Sequence, residues 1–452
     1  MPFRHALNAC ALAVTCLAVS LAMSLAQAAQ APPVTEVVLD NGLRILILED
    51  HRNPIATIQT WYKVGSRNEI PGATGLAHFL EHMMFKGTPT HGKGEFARLV
   101  EGNGGQDNAF TSHDVTSYYV NIAADRVDLV LGLEADRMRN LLLDPKEIDS
   151  ERQVVAEERR TRTEDDPDGY LSEEFLAAAY KAHPYGWPVI GWMTDIRRIN
   201  PPELRAFYNR YYQPNNALLV VAGDVDTRRV ISRARETFGR IPRGPAPPPM
   251  DAIEPPQPAE RRVVVYKADA RAPIVYIGFH VPNYTSKDAP ALELLSTILQ
   301  EGRASRLYRR LVYERRVALS IGGDYAYLSH DPNLFWFSGT PLPGQTPEAL
   351  EQAIMAEIER VKSETVPEEE LERAKNQIES GFVWRQDSVY SRAASLARFE
   401  LAGSWRNSEA FVSLIRRVTA ADLQRAARAY FQTDRRTVGV LLPGAPPAAA
   451  GK

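Results

Sequence analysis

Cysteine is almost absent from this chain of 452 residues, and the two that occur, Cys10 and Cys16, both sit in an apolar stretch from about Ala6 to Leu25. Arg4 and His5 precede the stretch, and Ala26-Gln27-Ala28 closes it with small residues where a leader peptidase cuts. Segment 1–28 therefore reads as a secretory signal peptide. The alternative is a retained membrane anchor, since about 18 or more apolar residues can span a bilayer; the small-residue end and the proline-bearing start that follows favour cleavage. Removal would leave no thiol and no disulfide, so packing alone must hold the mature chain together in an exported, periplasmic setting, with no lasting membrane insertion. A marked charge of either sign is also missing. Fifty-three basic against fifty-six acidic residues give a formal net charge of −3, which points to neither nucleic acid nor an acidic membrane surface as partner. What remains is a globular composition, 44% hydrophobic and 24% charged, at a length that suits two domains of about 200 residues each.

The most informative residues are His78, Glu81 and His82, in Gly75-Leu-Ala-His-Phe-Leu-Glu-His-Met-Met-Phe-Lys-Gly-Thr88. Positions i, i+3 and i+4 share one face of a helix. Two imidazoles four apart can close on one metal ion, while the carboxylate beside the second is left to handle water without being a ligand. A third ligand is needed. The stretch Ser150 to Arg160 reads as a helix, and its Glu151 and Glu158 stand seven apart, two turns along one face, so either can complete a two-His, one-Glu zinc site. His51, His91 and His113 have no partner at helical spacing and read as solvated or hydrogen-bonded histidines.

A proline-rich run between Ile241 and Arg261 can form neither helix nor sheet and reads as an extended linker over 242–260. It divides the chain into halves of similar length, 34–241 and 261–443. Each half opens with strand-like runs (Thr35 to Leu39 and Leu43 to Leu48; Arg262 to Tyr266 and Ile274 to Phe279), continues into helices, and closes with a strand, Leu218 to Ala222 or Thr437 to Leu441. The expected fold class is α+β: two copies of one unit, each packing helices on a largely antiparallel sheet. The copies differ in chemistry, because no histidine occurs between Val281 and Ser329 and the second copy carries Glu293 to Gln300 where the first has its histidine helix.

These segments resemble the pitrilysin-like, or M16, metallopeptidases, whose H-x-x-E-H order is the inverzincin signature. The likeness also includes Gly104 to Ser112, Glu151 to Glu158, His183 to Gly191 and Tyr211 to Asp224, and it spans nearly all of the chain after the leader. It implies a zinc endopeptidase in which His78, His82 and Glu158 hold Zn2+ and Glu81 is the general base. Glu151 is then the acid that orients a ligand or a water. It also implies that peptide substrate pairs as an extra strand near Asn108 and Ala109, in the β-rich segment Asn108 to Val120, which reads as one edge strand. Backbone pairing at a sheet edge gives affinity with little side-chain selectivity. Nothing chemical is expected of His183.

One departure matters. The family's complete enzymes carry an Arg and a Tyr seven apart in the second half to hold substrate and the tetrahedral intermediate; Ser305 to Ser320 aligns with that pattern but has Val312 and Leu319 at the two positions. Neither can donate to an oxyanion. Arg309, Arg310 and Tyr313, read on a helix, face other directions. The chain therefore resembles the zinc-bearing half of a two-subunit enzyme whose M16 partner supplies the Arg/Tyr pair. The competing readings are a noncatalytic assembly subunit and a peptidase dedicated to one precursor.

Overall fold

The computed structural model describes residues 34–445, so segment 1–28 with Cys10 and Cys16 lies outside the described residues. Six strands form the first sheet: β1 (Val34–Val38), β2 (Arg44–Glu49), β3 (Ile55–Tyr62), β4 (Gln106–Thr111), β5 (Thr116–Ala123) and β6 (Ala217–Gly223). Five form the second: β7 (Arg261–Lys267), β8 (Ile274–Val281), β9 (Ala318–Tyr325), β10 (Asn333–Pro341) and β11 (Arg436–Pro443). The strand orders are β1-β2-β6-β3-β5-β4 and β7-β11-β8-β10-β9. Leaving β1 aside, the second order repeats the first, down to a single parallel pair at the same place in each, β2 with β6 and β7 with β11. The fold is α+β with two copies of one unit. Residues 242–260 carry no helix or strand, yet they do not hang free: the Glu254 carboxylate accepts the backbone N–H groups of Lys181, Ala182 and His183, and Gln257 donates to the Arg436 carbonyl.

The helices used below are α1 (Leu76–Met83), α2 (Glu95–Gly102), α3 (Val127–Asn140), α4 (Pro145–Arg159), α5 (Pro167–Ala179), α6 (Ala289–Gln300), α7 (Pro347–Ser363), α8 (Glu368–Arg385) and α9 (Val389–Ala402). One face of each sheet is covered by helices of its own half, α1 and α3 on the first and α6 and α7 on the second. The other face is covered by a helix from the opposite half. Leu171 and Phe175 of α5 pack on Tyr276 and Leu441 of the second sheet, while Val389, Ala393 and Ala397 of α9 pack on Leu46, Trp61 and Val220 of the first. The exchange explains why β6 reads Ala-Leu-Leu-Val-Val-Ala-Gly with no alternation, since a strand buried on both faces has no polar side to show. It also explains Gly278 in the middle of β8, where a Cβ would come within 2.6 Å of the Phe175 ring.

Two local readings need correction. Asn108 to Val120 is not one strand but a hairpin, β4 and β5, because the Ser112 hydroxyl accepts the N–H groups of Asp114 and Val115 and turns the chain. The stretch Ser305 to Ser320 is not one helix either. Tyr308–Glu314 winds as a wide π-type helix, and Leu319 lies on strand β9.

Helix α6 holds the place of α1 in the second copy. Its Glu293 carboxyl is pushed up to about 8 by burial, with Glu301 and Asp324 adding to the rise and Arg385 opposing it. The folded value lies above the ordinary one near 4.3, so the folded chain keeps a proton that the unfolded chain gives up, and stability from this group falls as pH rises from about 4 to about 8. Glu293→Gln is expected to shrink the loss of Tm between about pH 5 and pH 9, measured by thermal denaturation at both ends.

Candidate metal centre

Helix α1 starts abruptly, at Gly75 in the left-handed region with φ 86°. A Cβ there would lie 2.6 Å from the Ile190 carbonyl oxygen, and one on Gly191 would lie 2.5 Å from the Gly75 Cα, so the loop ending at Gly191 rests directly on the first turn. The exposed N–H groups of that turn are met by a buried carboxylate, Glu69, which accepts from Gly75 and Ala77 at 2.8 Å each. Burial pushes the Glu69 carboxyl up to about 8 in spite of those bonds. Asp195 ties the preceding residue, accepting from the Thr74 N–H and hydroxyl. These contacts fix the direction in which α1 points its histidines.

His78 and His82 lie on the face of α1 that meets α4. His82 Nε2 is 3.4 Å and His78 Nε2 3.8 Å from the same oxygen, Glu158 Oε2. One ligand atom from each of the three residues lies within 4.8 Å of the others, and no other His, Cys, Asp and Glu group among the described residues does this. Tetrahedral zinc with ligands at about 2.0–2.2 Å separates its ligand atoms by about 3.3–3.6 Å. The separations of 3.4 and 3.8 Å from the two rings to Glu158 Oε2 are near that spacing, so the set fits such an ion.

The electrostatics also suit a cation. Hydrogen bonds to Glu151 and Glu158 outweigh the burial that opposes them and lift His82 to about 9, whereas burial and the neighbouring His82 lower His78 to about 4. Glu158 is held low chiefly by its bond to His82. His82 Nδ1 meets Glu151 at 2.9 Å, and Lys86 pairs with the other Glu151 oxygen, which fixes the ring and leaves Nε2 for the cluster. Glu151 and Glu158, left open by spacing, are thus placed differently, one behind His82 and one among the three. Glu157 is exposed and pairs with Arg160. Glu81 stands outside the three; burial raises its carboxyl while the Thr111 hydroxyl, donating at 2.5 Å, works against the rise. Thr111 is the last residue of β4, so Glu81 lies against the end of an edge strand whose outer side pairs with nothing among the described residues. On that strand Ala109 packs toward the helices, and Asn108 faces the opposite way, beside Tyr119.

The other described histidines are bound elsewhere: His51 by Asp224, His91 by Asp136, His113 by the Trp187 carbonyl, His183 and His330 by Asp331, and His280 by the Ala179 carbonyl. Sequence reading missed the residues that brace the cluster. Glu69 and Asp195 are one such pair; Arg159 and Glu173 are another, a buried bidentate bridge at 2.7 Å in which Arg159 also donates to the Gly191 carbonyl. It joins α4, next to Glu158, to α5 and to the loop that seats α1. The charge pattern along α4 offered no signal for it, since about half of the residues there are charged. Removing one member of a buried pair strands the other, at a cost of about 3–5 kcal/mol. Arg159→Ala should show that loss in urea denaturation run with chelator present, where metal binding does not enter.

Residues 44–191 match the family model described as Insulinase (Peptidase family M16), and residues 198–378 match Peptidase M16 inactive domain. A zinc protease of Helicobacter pylori, PqqE, is 34% identical over 430 residues, covering 94% of this chain and 97% of the relative. The chain belongs to peptidase family M16. An uncharacterized zinc protease of Mycobacterium leprae is 31% identical over 409 residues, 89% of this chain and 90% of its own. Among solved structures, a protease from Helicobacter pylori superposes with a TM-score of 0.88 at 34% identity, covering 91% of this chain and all of the other. The periplasmic protease PqqL of Escherichia coli shares the fold at a TM-score of 0.73 and 21% identity, covering 93% of this M16 chain but only 50% of PqqL.

Proposed function

We propose that this M16 chain is a zinc-dependent endopeptidase of the periplasm that hydrolyses peptides or unfolded polypeptides inside a chamber formed with a second M16 chain. The observation that carries the reading is the convergence of His78, His82 and Glu158 on one point, with Glu81 beside them at the end of a strand edge left unpaired among the described residues. In this reading His78, His82 and Glu158 hold the ion. Zinc, when bound, polarises the scissile carbonyl as a Lewis acid and makes water more acidic. Glu151 keeps His82 in the tautomer that presents Nε2. Substrate adds to β4 as a further strand, its backbone running past Asn108 and Ala109. Glu81, steered by Thr111, takes a proton from the attacking water and returns it to the leaving amine nitrogen.

The second half supports the need for a partner. Val312 is packed against the core of the second half and Leu319 is an exposed aliphatic side chain, so neither position offers a donor. Arg310 is taken up by the buried Glu357, and Arg309 by Glu314. Tyr313 is exposed. A fold that fills half of a longer protein is also of the size from which two chains would build one enclosure. The test is metal analysis joined to an assay: one zinc per chain is expected, with peptide cleavage by the assembled enzyme lost in chelator and regained with zinc. Full cleavage by metal-free protein would defeat the reading.

A further inference from the structure

On the face of the first sheet turned away from α1 there is a cleft of about 400 Å³ lined by Glu101 at the end of α2, Gln106 and Asn108 on β4, Tyr119 and Asn121 on β5, and Tyr390 on α9. The strand register explains the lining. Gln106 pairs with Asn121 and Asn108 with Tyr119, and paired residues share a face. Thr111 reaches Glu81 from the other face, while Phe110, on the face of Gln106 and Asn108, meets Trp61 edge-on at 5.4 Å under α9. Tyr390 closes the cleft from the second half, its ring 4.8 Å from that of Tyr119.

This inference rests on the reading of β4 as the strand that receives peptide. A residue of an added strand opposite Asn108 sends its side chain to the face of Asn108, hence toward the cleft and away from the metal cluster. An added strand lies about 4.8 Å beyond β4, so the tyrosines over β5 are about two strand spacings from its backbone. Only a long side chain reaches them. What it would meet is a carboxylate at Glu101, side-chain amide oxygens, and the faces of two phenol rings, with no cation among the lining groups. A guanidinium or ammonium group on a flexible stem satisfies every one of these; an aliphatic side chain of equal length satisfies none of the polar ones.

We propose that this cleft is a subsite for an arginine or lysine side chain of the peptide substrate, built jointly by β4 and β5 of the first half and Tyr390 of the second. Because Tyr390 belongs to the helix exchanged between halves, selection at this position would depend on the two halves being docked.

The test is direct binding of a series of short fluorescent peptides, differing at one scanned position in arginine, lysine, norleucine or glutamate, to the zinc-loaded full chain carrying Glu81→Gln. At one position the arginine peptide is expected to bind about tenfold more tightly than norleucine, the size of one well-placed cation–π contact. Adding Tyr390→Ala should bring the ratio to within about twofold, while Tyr390→Phe, which keeps the ring, should retain it; melting temperature shows that both variants fold. Peptides that bind without a basic preference, or a preference untouched by Tyr390→Ala, would overturn the subsite and leave the role of β4 standing. Failure of every peptide to bind the zinc-loaded chain, both alone and paired with an M16 chain bearing the Arg and Tyr, would remove the reading of β4 and the subsite with it.

Discussion

Glu81→Gln is expected to keep one zinc per chain and to lower peptide turnover by about a hundredfold or more, the usual scale for loss of a general base. Glutamine occupies the same space beside Thr111 and can still accept its hydroxyl, but it cannot take a proton from water. Because Glu81 stands outside the three converging ligands, the metal has no reason to leave. His82→Ala and Glu158→Ala should do the opposite, losing zinc and with it activity. Glu151→Gln falls between: His82 keeps a hydrogen-bonding partner at Nδ1 but a weaker one, and zinc affinity should drop about 10- to 100-fold. Metal content and turnover measured on all four variants separate the roles. Retention of zinc by Glu158→Ala, or turnover by Glu81→Gln within tenfold of the parent, would break the assignment.

The second large effect concerns the partner. Alone, the chain should bind zinc and cleave peptides at least about a hundredfold more slowly than when paired, since one missing oxyanion donor costs about that much. The donors absent at Val312 and Leu319 would come from an M16 partner bearing an Arg and a Tyr. Pairing should restore the rate, and replacing the partner's Arg and Tyr should remove the gain. If the isolated chain is fully active, the exposed Tyr313 becomes the first residue to replace.

How much of this could be read in the sequence follows from the range of the interactions involved. His78, Glu81 and His82 were legible because a helix fixes their relation within one turn. By spacing alone Glu158 was one of two choices, since a separation of seven places Glu151 and Glu158 on the same face; the family resemblance pointed to Glu158, and in the structure the two differ in which end of His82 each meets. The repeat of one α+β unit was legible in outline, but the exchange of α5 and α9 between the halves was not, because nothing local in either helix tells which sheet it covers. The bracing by Glu69, Asp195 and the Arg159–Glu173 bridge was out of reach for the same reason: these residues meet through tertiary packing over separations with no period. The errors at Asn108 to Val120 and Ser305 to Ser320 were local. A serine-centred turn interrupts a run of strand-forming residues in one, and a wide helical turn gives way to strand β9 in the other.

The most direct measurement of the central claim is anomalous diffraction at the zinc edge from crystals of the purified protein. The expected result is one strong peak about 2.0–2.2 Å from His78 Nε2, His82 Nε2 and a Glu158 oxygen, with Glu81 beyond bonding distance. A peak held by Glu151 in place of Glu158, or no peak at α1 in protein that cleaves peptides, would contradict it.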